Sequence, residues 1–193
     1  GKMLAAVGTY PDYMLTVWEW ERETLILRAK AFSQDIYRVT FSENLPGRLC
    51  TSGVGHVRFW EMARTFTGLK LQGEIGKFGN IEISDIAGYA MFPDGKVISG
   101  TETGSLLLWQ DALVKCEFIR QGGKRCHKGM VEVIYHKGNE VITACRNGDI
   151  RVWDFSAIDT AETEDTSVAI DLTQKAKLKL SKNSSIKCMY PVG

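Results

Sequence analysis

The sequence predicts an all-β fold made of a repeated four-stranded unit. One short strand shows the repeat: after Gly148, apolar and polar side chains alternate along Asp149–Asp154, as they do on a half-buried strand. Strands of this kind carry four tryptophans, Trp18, Trp60, Trp109 and Trp153, spaced 42, 49 and 44 residues apart. Self-similarity at about 40–45 residues with a Trp-Asp ending is typical of a WD40 β-propeller blade.

A glycine stands five residues before each of the last three tryptophans: Gly55, Gly104 and Gly148. Glycine adopts positive φ without steric cost, so each of these residues suits the tight turn that opens the tryptophan strand. Tyr13 takes the equivalent place before Trp18. We expect the four tryptophans and the three glycines to be structural repeat positions.

The first half of the chain contains the end of one blade and a second, complete blade. Residues 1–30 form the end of the first blade, and residues 31–75 form the second. The glycines between Phe66 and Asn80 indicate a short outer strand at Leu69–Leu71, followed by a long flexible loop. This loop would account for the interval of 49 residues between Trp60 and Trp109.

The second half contains two further blades and the start of another. Residues 82–120 form the third blade, residues 126–180 the fourth, and residues 185–193 the start of a fifth. In the fourth blade, Ser156–Thr166 is predicted to be an exposed loop, and the outer strand is either Val168–Leu172 or Lys175–Leu180. Propellers usually close with about 4–8 blades, so we expect a partial arc of about four blades, belonging to a longer protein.

Composition and charge exclude several function classes. The chain of 193 residues is 44% apolar and 24% charged, with a net charge of +1, so no global field favours nucleic acid or a membrane surface. The longest apolar runs are far shorter than the about 18 residues of a membrane span. Five cysteines at irregular spacing, without a C-x-x-C pair, favour reduced thiols in an intracellular protein.

Conventional WD repeats brace each blade with a tryptophan, a Ser/Thr, a turn aspartate and a histidine. Counting back from the turn, the Ser/Thr position falls on Ser52, Thr101 and Cys145 in the last three blades. The turn-aspartate position falls on Val54, Thr103 and Asn147, so the brace is incomplete in every repeat. We therefore expect the tryptophans to act mainly by packing, each burying roughly 150–250 Å².

Metal binding and catalysis find little support in the sequence. Cys126 and His127 are adjacent, so their side chains do not readily converge on one ion, and His56 and His136 have no partner motif. The glycine-rich stretch lacks the spacing and the Lys-Ser/Thr ending of a phosphate loop. We predict no catalytic, cofactor-binding or metal residues, no cofactor, no small-molecule substrate and no enzymatic activity.

A basic face is predicted near the end of the chain, where Lys175, Lys177 and Lys179 alternate with apolar residues. One interpretation is an electrostatic contact with an acidic protein partner such as tubulin. The other is an outer strand whose lysines resist edge-to-edge pairing, and we favour this second interpretation.

Several runs between Val7 and Asp165 are similar to a family of axonemal WD-repeat proteins, the cilia- and flagella-associated proteins. Within the run Thr65–Gly73, the part Phe66–Gly73 is the most specific. The other runs are Gly8–Tyr13, Lys30–Asp35, Phe59–Met62, Pro93–Val97, and Trp153–Phe155 together with Ile158–Ala161. After Asp165 the similarity fades, so it does not extend to the lysine face.

The resemblance implies a structural part of the tether and tether-head complex in motile cilia and flagella. Its implied partners are the sister cilia- and flagella-associated protein forty-three, inner-arm dynein and components of the axonemal microtubules. The implied location is the cytoplasm and cytoskeleton, in the axoneme of a cilium or flagellum. An enzyme and a generic intracellular WD40 adaptor, such as a microtubule-associated protein, remain as alternatives.

Overall fold

The computed structural model describes residues 1–156, 169–180 and 184–190. These residues form sixteen β-strands and one 3-10 turn, and no α-helix occurs among them. The predicted all-β class and propeller architecture are thereby confirmed. None of the described segments forms a helix that is long and apolar enough to cross a membrane.

The first seven strands form two antiparallel sheets, which we name blades one and two. Blade one contains β1 (Met3–Val7), β2 (Met14–Glu19) and β3 (Thr24–Lys30), with the 3-10 turn Trp20–Arg22 between the last two. Blade two contains β4 (Ile36–Phe41), β5 (Arg48–Gly53), β6 (His56–Thr65) and β7 (Gly68–Ile75). Consecutive strands are hydrogen-bonded neighbours in both sheets, as simple hairpin connections require.

The remaining strands form blades three and four. Blade three contains β8 (Tyr89–Met91), β9 (Val97–Gly100), β10 (Leu106–Gln110), β11 (Leu113–Arg120) and the short β12 (Lys124–Arg125), which pairs with β11. Blade four contains β13 (Val131–Lys137), β14 (Glu140–Cys145), β15 (Asp149–Asp154) and β16 (Ala169–Lys179).

Backbone hydrogen bonds join successive blades near their innermost strands. The Ile86 N–H donates to the Gly53 carbonyl at 3.0 Å, and the Gly88 N–H donates to the Val131 carbonyl at 3.1 Å. Apolar side chains fill the spaces between blades: separate buried clusters lie between blades one and two, two and three, and three and four. The sheets therefore follow one another around an arc, with their cores between the sheets.

The outer strand of blade four differs from both predicted alternatives, because β16 is one continuous strand. Its first part, Ala169–Leu172, pairs in parallel with Glu117–Arg120 of β11. Its second part pairs antiparallel with β15. One strand thus bridges blades three and four. Val168, and the predicted loop from residue 157 onwards, lie outside the described residues.

One further prediction on the chain course is corrected, and one stays open. The glycine-rich stretch is mainly strand, because β7 continues to Ile75 and forms a long hairpin with β6. Residues 185–193 are predicted to begin a fifth blade; the described residues 184–190 contain no strand, and Ile186 packs on Val133 and Ala144 of blade four, so the fifth blade stays a prediction.

Candidate functional site: the tryptophan frame and the basic outer strand

The four repeated tryptophans occupy corresponding strands. Trp60, Trp109 and Trp153 lie on β6, β10 and β15, the third strands of blades two, three and four, and all three are buried. Trp18 lies on β2, the middle strand of blade one, and is half-buried. We call these four side chains the tryptophan frame.

The residue five positions before each tryptophan has a left-handed backbone. The φ values are 47° for Tyr13, 62° for Gly55, 97° for Gly104 and 83° for Gly148. Gly104 is also required by space, because a Cβ there would collide with the carbonyl of His127. The common spacing therefore reflects a common turn, and at Gly104 it also reflects contact with the next blade.

Each buried tryptophan donates its indole N–H to a hydroxyl on the preceding strand. The acceptors are Thr51 for Trp60 at 2.9 Å, Ser99 for Trp109 at 2.8 Å and Thr143 for Trp153 at 2.7 Å. The predicted positions Ser52, Thr101 and Cys145 are therefore wrong.

Strand pairing explains the true acceptor positions. Leu49, Val97 and Val141 lie directly opposite the three tryptophans. The acceptor is two residues further along in each case, on the same face of the sheet and diagonal to the indole. In blade one, the residue at the acceptor position for Trp18 is Ala6, which has no hydroxyl to accept a hydrogen bond.

In blade four, the hydroxyl that accepts from the tryptophan also contacts a histidine. His127 Nε2 lies 2.6 Å from the Thr143 hydroxyl, and the imidazole is buried. Burial, followed by the charge of Arg151, lowers the pKa of His127 to about 3, so the ring is neutral near pH 7. His127 Nδ1 has no hydrogen-bond partner among the described residues. Asn147, at the place of the turn aspartate, accepts from Cys145 Sγ and from the Asp149 N–H.

Two arginines lie against tryptophans of the frame, an arrangement that the repeat pattern did not indicate. The Arg58 guanidinium lies 4.4 Å from the Trp60 ring centroid, and that of Arg151 lies 5.9 Å from the Trp153 ring centroid. Each arginine comes two residues before its tryptophan, hence on the same face of the strand. Arg58 also donates to the Ala31 carbonyl at 3.0 Å, which ties blade two to the end of blade one.

Two of the three predicted contact lysines already have acidic partners within the chain. Lys175 Nζ lies 2.9 Å from Glu140, and Lys179 Nζ lies 3.1 Å from the buried carboxylate of Asp149. Burial alone would raise the pKa of Asp149, but Lys179, Lys177 and Arg151 lower it overall. Lys177 is exposed, and in the strand register it lies opposite Arg151. The lysine face is therefore partly neutralised, and its role in partner binding stays a prediction.

The thiols and imidazoles are placed as structural groups. Burial raises the pKa of Cys116 and of Cys126 to about 12, which keeps both thiols protonated and weakly nucleophilic. His56 is buried, stacks on Phe32 at 3.7 Å between ring centroids, and has a pKa lowered by burial. Within residues 1–156, 169–180 and 184–190, no group of three His, Cys, Asp or Glu residues could hold a metal ion.

Sequence comparison gives relatives across most of the chain, although no family model matches it. The chain is 50% identical over 189 residues to mouse cilia- and flagella-associated protein 44, a match that covers 98% of the chain. It is 58% identical over 134 residues, 69% of the chain, to the Chlamydomonas reinhardtii protein of that name.

The chain is a homologue of cilia- and flagella-associated protein 44. A third match is the Trypanosoma brucei protein of the same name, 42% identical over 184 residues and 85% of the chain. The matched segments make up 10%, 8% and 10% of the mouse, Chlamydomonas and trypanosome proteins, so the chain spans about a tenth of the length of these relatives.

More distant matches support the fold. Human echinoderm microtubule-associated protein-like 2 is 32% identical over 110 residues, covering 56% of the chain and 16% of that protein. The crystal structure of the computationally designed Ika8 protein superposes with a TM-score of 0.60 at 16% identity, covering 80% of the chain and 43% of the design. At that identity the structural likeness concerns the fold alone.

Proposed function

We propose that the chain is part of a structural scaffold of motile cilia and flagella, within the tether and tether-head complex. In this role it helps to hold the motor heads of inner-arm dynein near the doublet microtubule, together with cilia- and flagella-associated protein forty-three. The observation that carries the proposal is the 50% identity to mouse cilia- and flagella-associated protein 44 across 98% of the chain. Homologues of that name support a location in the axoneme and cytoskeleton.

The physical character of the arc suits a positional role. Several of its polar groups serve the frame: three indoles hydrogen-bond to hydroxyls, and two arginines lie against tryptophan rings. We infer that the four tryptophans, with Gly55, Gly104 and Gly148, act as structural repeat positions and that the chain is no enzyme. A rigid β-propeller presents loops and strand ends to protein partners without needing a reactive group.

A generic WD40 adaptor of the microtubule-associated kind is the second candidate. The 32% identity to human echinoderm microtubule-associated protein-like 2 favours it, and it would make Lys175, Lys177 and Lys179 a contact for an acidic protein surface. This candidate predicts binding to microtubules outside the axoneme, whereas the tether role predicts retention at a fixed position along the doublet.

The test is replacement of the native gene in a ciliated or flagellated cell, followed by cryo-electron tomography of axonemes. We expect loss of the protein to release inner-arm dynein heads from their fixed distance to the doublet. Trp153→Ala should reproduce this loss by destabilising blade four. The control Cys188→Ser, at an exposed thiol, should leave the heads in place. Unchanged head positions in the absence of the protein would contradict the tether role.

A further inference from the structure

One hairpin of the arc extends beyond its blade. The tryptophan-bearing strands of blades one, three and four end one residue after Trp18, Trp109 and Trp153. In blade two, β6 continues to Thr65, five residues past Trp60. Pairing of β5 with β6 stops at Glu61, whereas pairing of β6 with β7 continues to the turn. Met62–Leu71 therefore forms a two-stranded ribbon, which we call the arm, about 13 Å long at about 3.3 Å per residue.

The base of the arm is anchored on the body of the arc. Met62 and Leu71 lie opposite each other and pack against the apolar cluster between blades one and two. The Met62 N–H also donates to the Gly47 carbonyl at 2.8 Å. An isolated two-stranded hairpin is only marginally stable in water, so this anchorage gives the arm a defined direction.

The turn at the tip of the arm is held by hydroxyl hydrogen bonds. The Thr65 hydroxyl donates to the Gly68 carbonyl at 2.8 Å and accepts from the Thr67 N–H at 3.3 Å. Gly68 supplies the positive φ of 107° that the turn requires. None of these interactions involves the side chain of Phe66, so turn formation does not explain a phenylalanine at this position.

The tip combines an exposed aromatic ring with positive charge. Phe66 is fully exposed, at 101% of its reference area, and Leu69 is 39% exposed. Arg64 lies directly opposite Leu69, and Lys70 is its neighbour in the chain; both side chains are exposed. Single exposed apolar residues are common on protein surfaces. Here, however, the ring stands at the end of an ordered arm that also carries a second apolar side chain and two cations, Arg64 on the face of Leu69 and Lys70 on the other face.

We propose that the arm is a docking element that inserts Phe66 and Leu69 into an apolar pocket with an acidic rim on a protein partner. The inference rests on the proposed scaffold role and deepens it by naming the contact. The apolar pair would supply buried area, and Arg64 and Lys70 would face the acidic groups, which steer association and select the partner. A central aromatic side chain in a desolvated pocket, rimmed by charge, is the usual composition of a strong interface contact.

A lipid surface fits the arm less well than a protein pocket. Stable membrane attachment of a folded domain needs a larger apolar surface or a second signal, whereas the arm offers one phenyl ring, one leucine and two cations. The narrow tip matches a concave site, and two cations suit a few fixed carboxylates.

The first experiment measures rebinding to axonemes prepared from cells that lack the protein. Purified full-length protein carrying Phe66→Ser should bind at least about tenfold more weakly than the wild type, as expected for loss of a buried phenyl group. Phe66→Trp should retain binding. The matched control is Tyr10→Ser, at an aromatic side chain that is 80% exposed in the loop between β1 and β2, and it should leave affinity unchanged.

The second experiment tests the acidic rim. The double variant Arg64→Glu/Lys70→Glu should bind at least about tenfold more weakly at low salt and should lose most of the salt dependence of the wild type. The proposal would be overturned if Phe66→Ser bound as tightly as the wild type. It would also be overturned if the charge-reversed double variant bound as tightly as the wild type. Binding to vesicles rich in phosphatidylserine that Phe66→Ser abolishes would overturn it as well, since the arm would then be a membrane contact.

Failure of the arm and failure of the scaffold role have different signatures. If rebound wild-type protein returns dynein heads to their positions and Phe66→Ser binds as tightly, only the arm proposal fails. If dynein heads are correctly placed in axonemes without the protein, the tether role fails. The ratio of the wild-type and Phe66→Ser affinities for these axonemes still decides whether the arm docks.

Discussion

Replacing Trp153 with alanine tests whether the tryptophan frame holds the blades together. Trp153 is fully buried, donates its indole N–H to Thr143 at 2.7 Å, and belongs to the apolar cluster between blades three and four. Trp153→Ala removes the ring and leaves the Thr143 hydroxyl without the indole donor. The local free energy of opening should fall because both packing and a hydrogen bond are lost.

The expected magnitude follows from the buried area. A tryptophan that buries roughly 150–250 Å² contributes about 4–6 kcal/mol at about 25 cal/mol per Å², an upper estimate because unfolded chains are partly compact. Measured truncations of large aromatics in cores give about 3–5 kcal/mol. At about 1.4 kcal/mol per factor of ten, amide hydrogen exchange in β13–β15 should accelerate roughly 150-fold to 4,000-fold in the full-length protein.

Two companion variants separate packing from hydrogen bonding. Thr143→Val keeps the shape of the side chain but removes the hydroxyl, so it should cost about 1–3 kcal/mol by leaving the indole N–H unpaired. Lys175→Ala, at a pair on β16 that is exposed to water, should leave exchange in β13–β15 nearly unchanged. Exchange in Trp153→Ala within about fivefold of the wild type would refute the reasoning, because 1 kcal/mol already corresponds to about that factor.

Three further outcomes are expected from the same exchange measurement. Gly73→Ala should destabilise blade two by about 1–3 kcal/mol, since a Cβ there would overlap the indole ring opposite it. Acid should destabilise blade four from about pH 6.5 towards pH 3, because the unfolded chain binds a proton at His127 that the folded chain excludes, and His127→Gln should flatten this dependence. Lys179→Met should cost about 1–2 kcal/mol by removing a partner of buried Asp149, whereas Lys175→Met, at a pair exposed to water, should have little effect.

The sequence was sufficient to predict the repeated unit, because its two signals have direct structural causes. Alternation of apolar and polar residues reflects a strand with one buried face, and it located β15 at Asp149–Asp154. The fixed distance from a turn residue to each tryptophan reflects a positive φ at the start of the same strand, even where Tyr13 replaces glycine.

The hydroxyl acceptors were misplaced because they depend on pairing between strands. In the strand register, each acceptor stands at the same place relative to its tryptophan. Its distance from the turn varies, because the connection between β5 and β6 has two residues and that between β9 and β10 has five. Counting back from the turn points to Ser52, one residue from the acceptor Thr51, and one residue is enough to move a side chain to the other face of the sheet.

The arm and the shared strand were missed for different reasons. Glycines in β7 suggested a loop, but Gly73 is there because the Trp60 ring fills the space that a side chain would take. The continuity of β16 depends on a parallel partner about 50 residues earlier in the chain, and no local pattern encodes that pairing.

The shared strand also bears on how the arc would carry mechanical load. Blades three and four are joined through β16, so a pull on one must break backbone hydrogen bonds before the two can separate. Among the described residues, blades one and two share no paired strand and are joined by side-chain packing and by the Arg58 bonds to the end of β3. Stiffness is thus graded along the arc: the half with the shared strand resists deformation, and the half that carries the arm yields first.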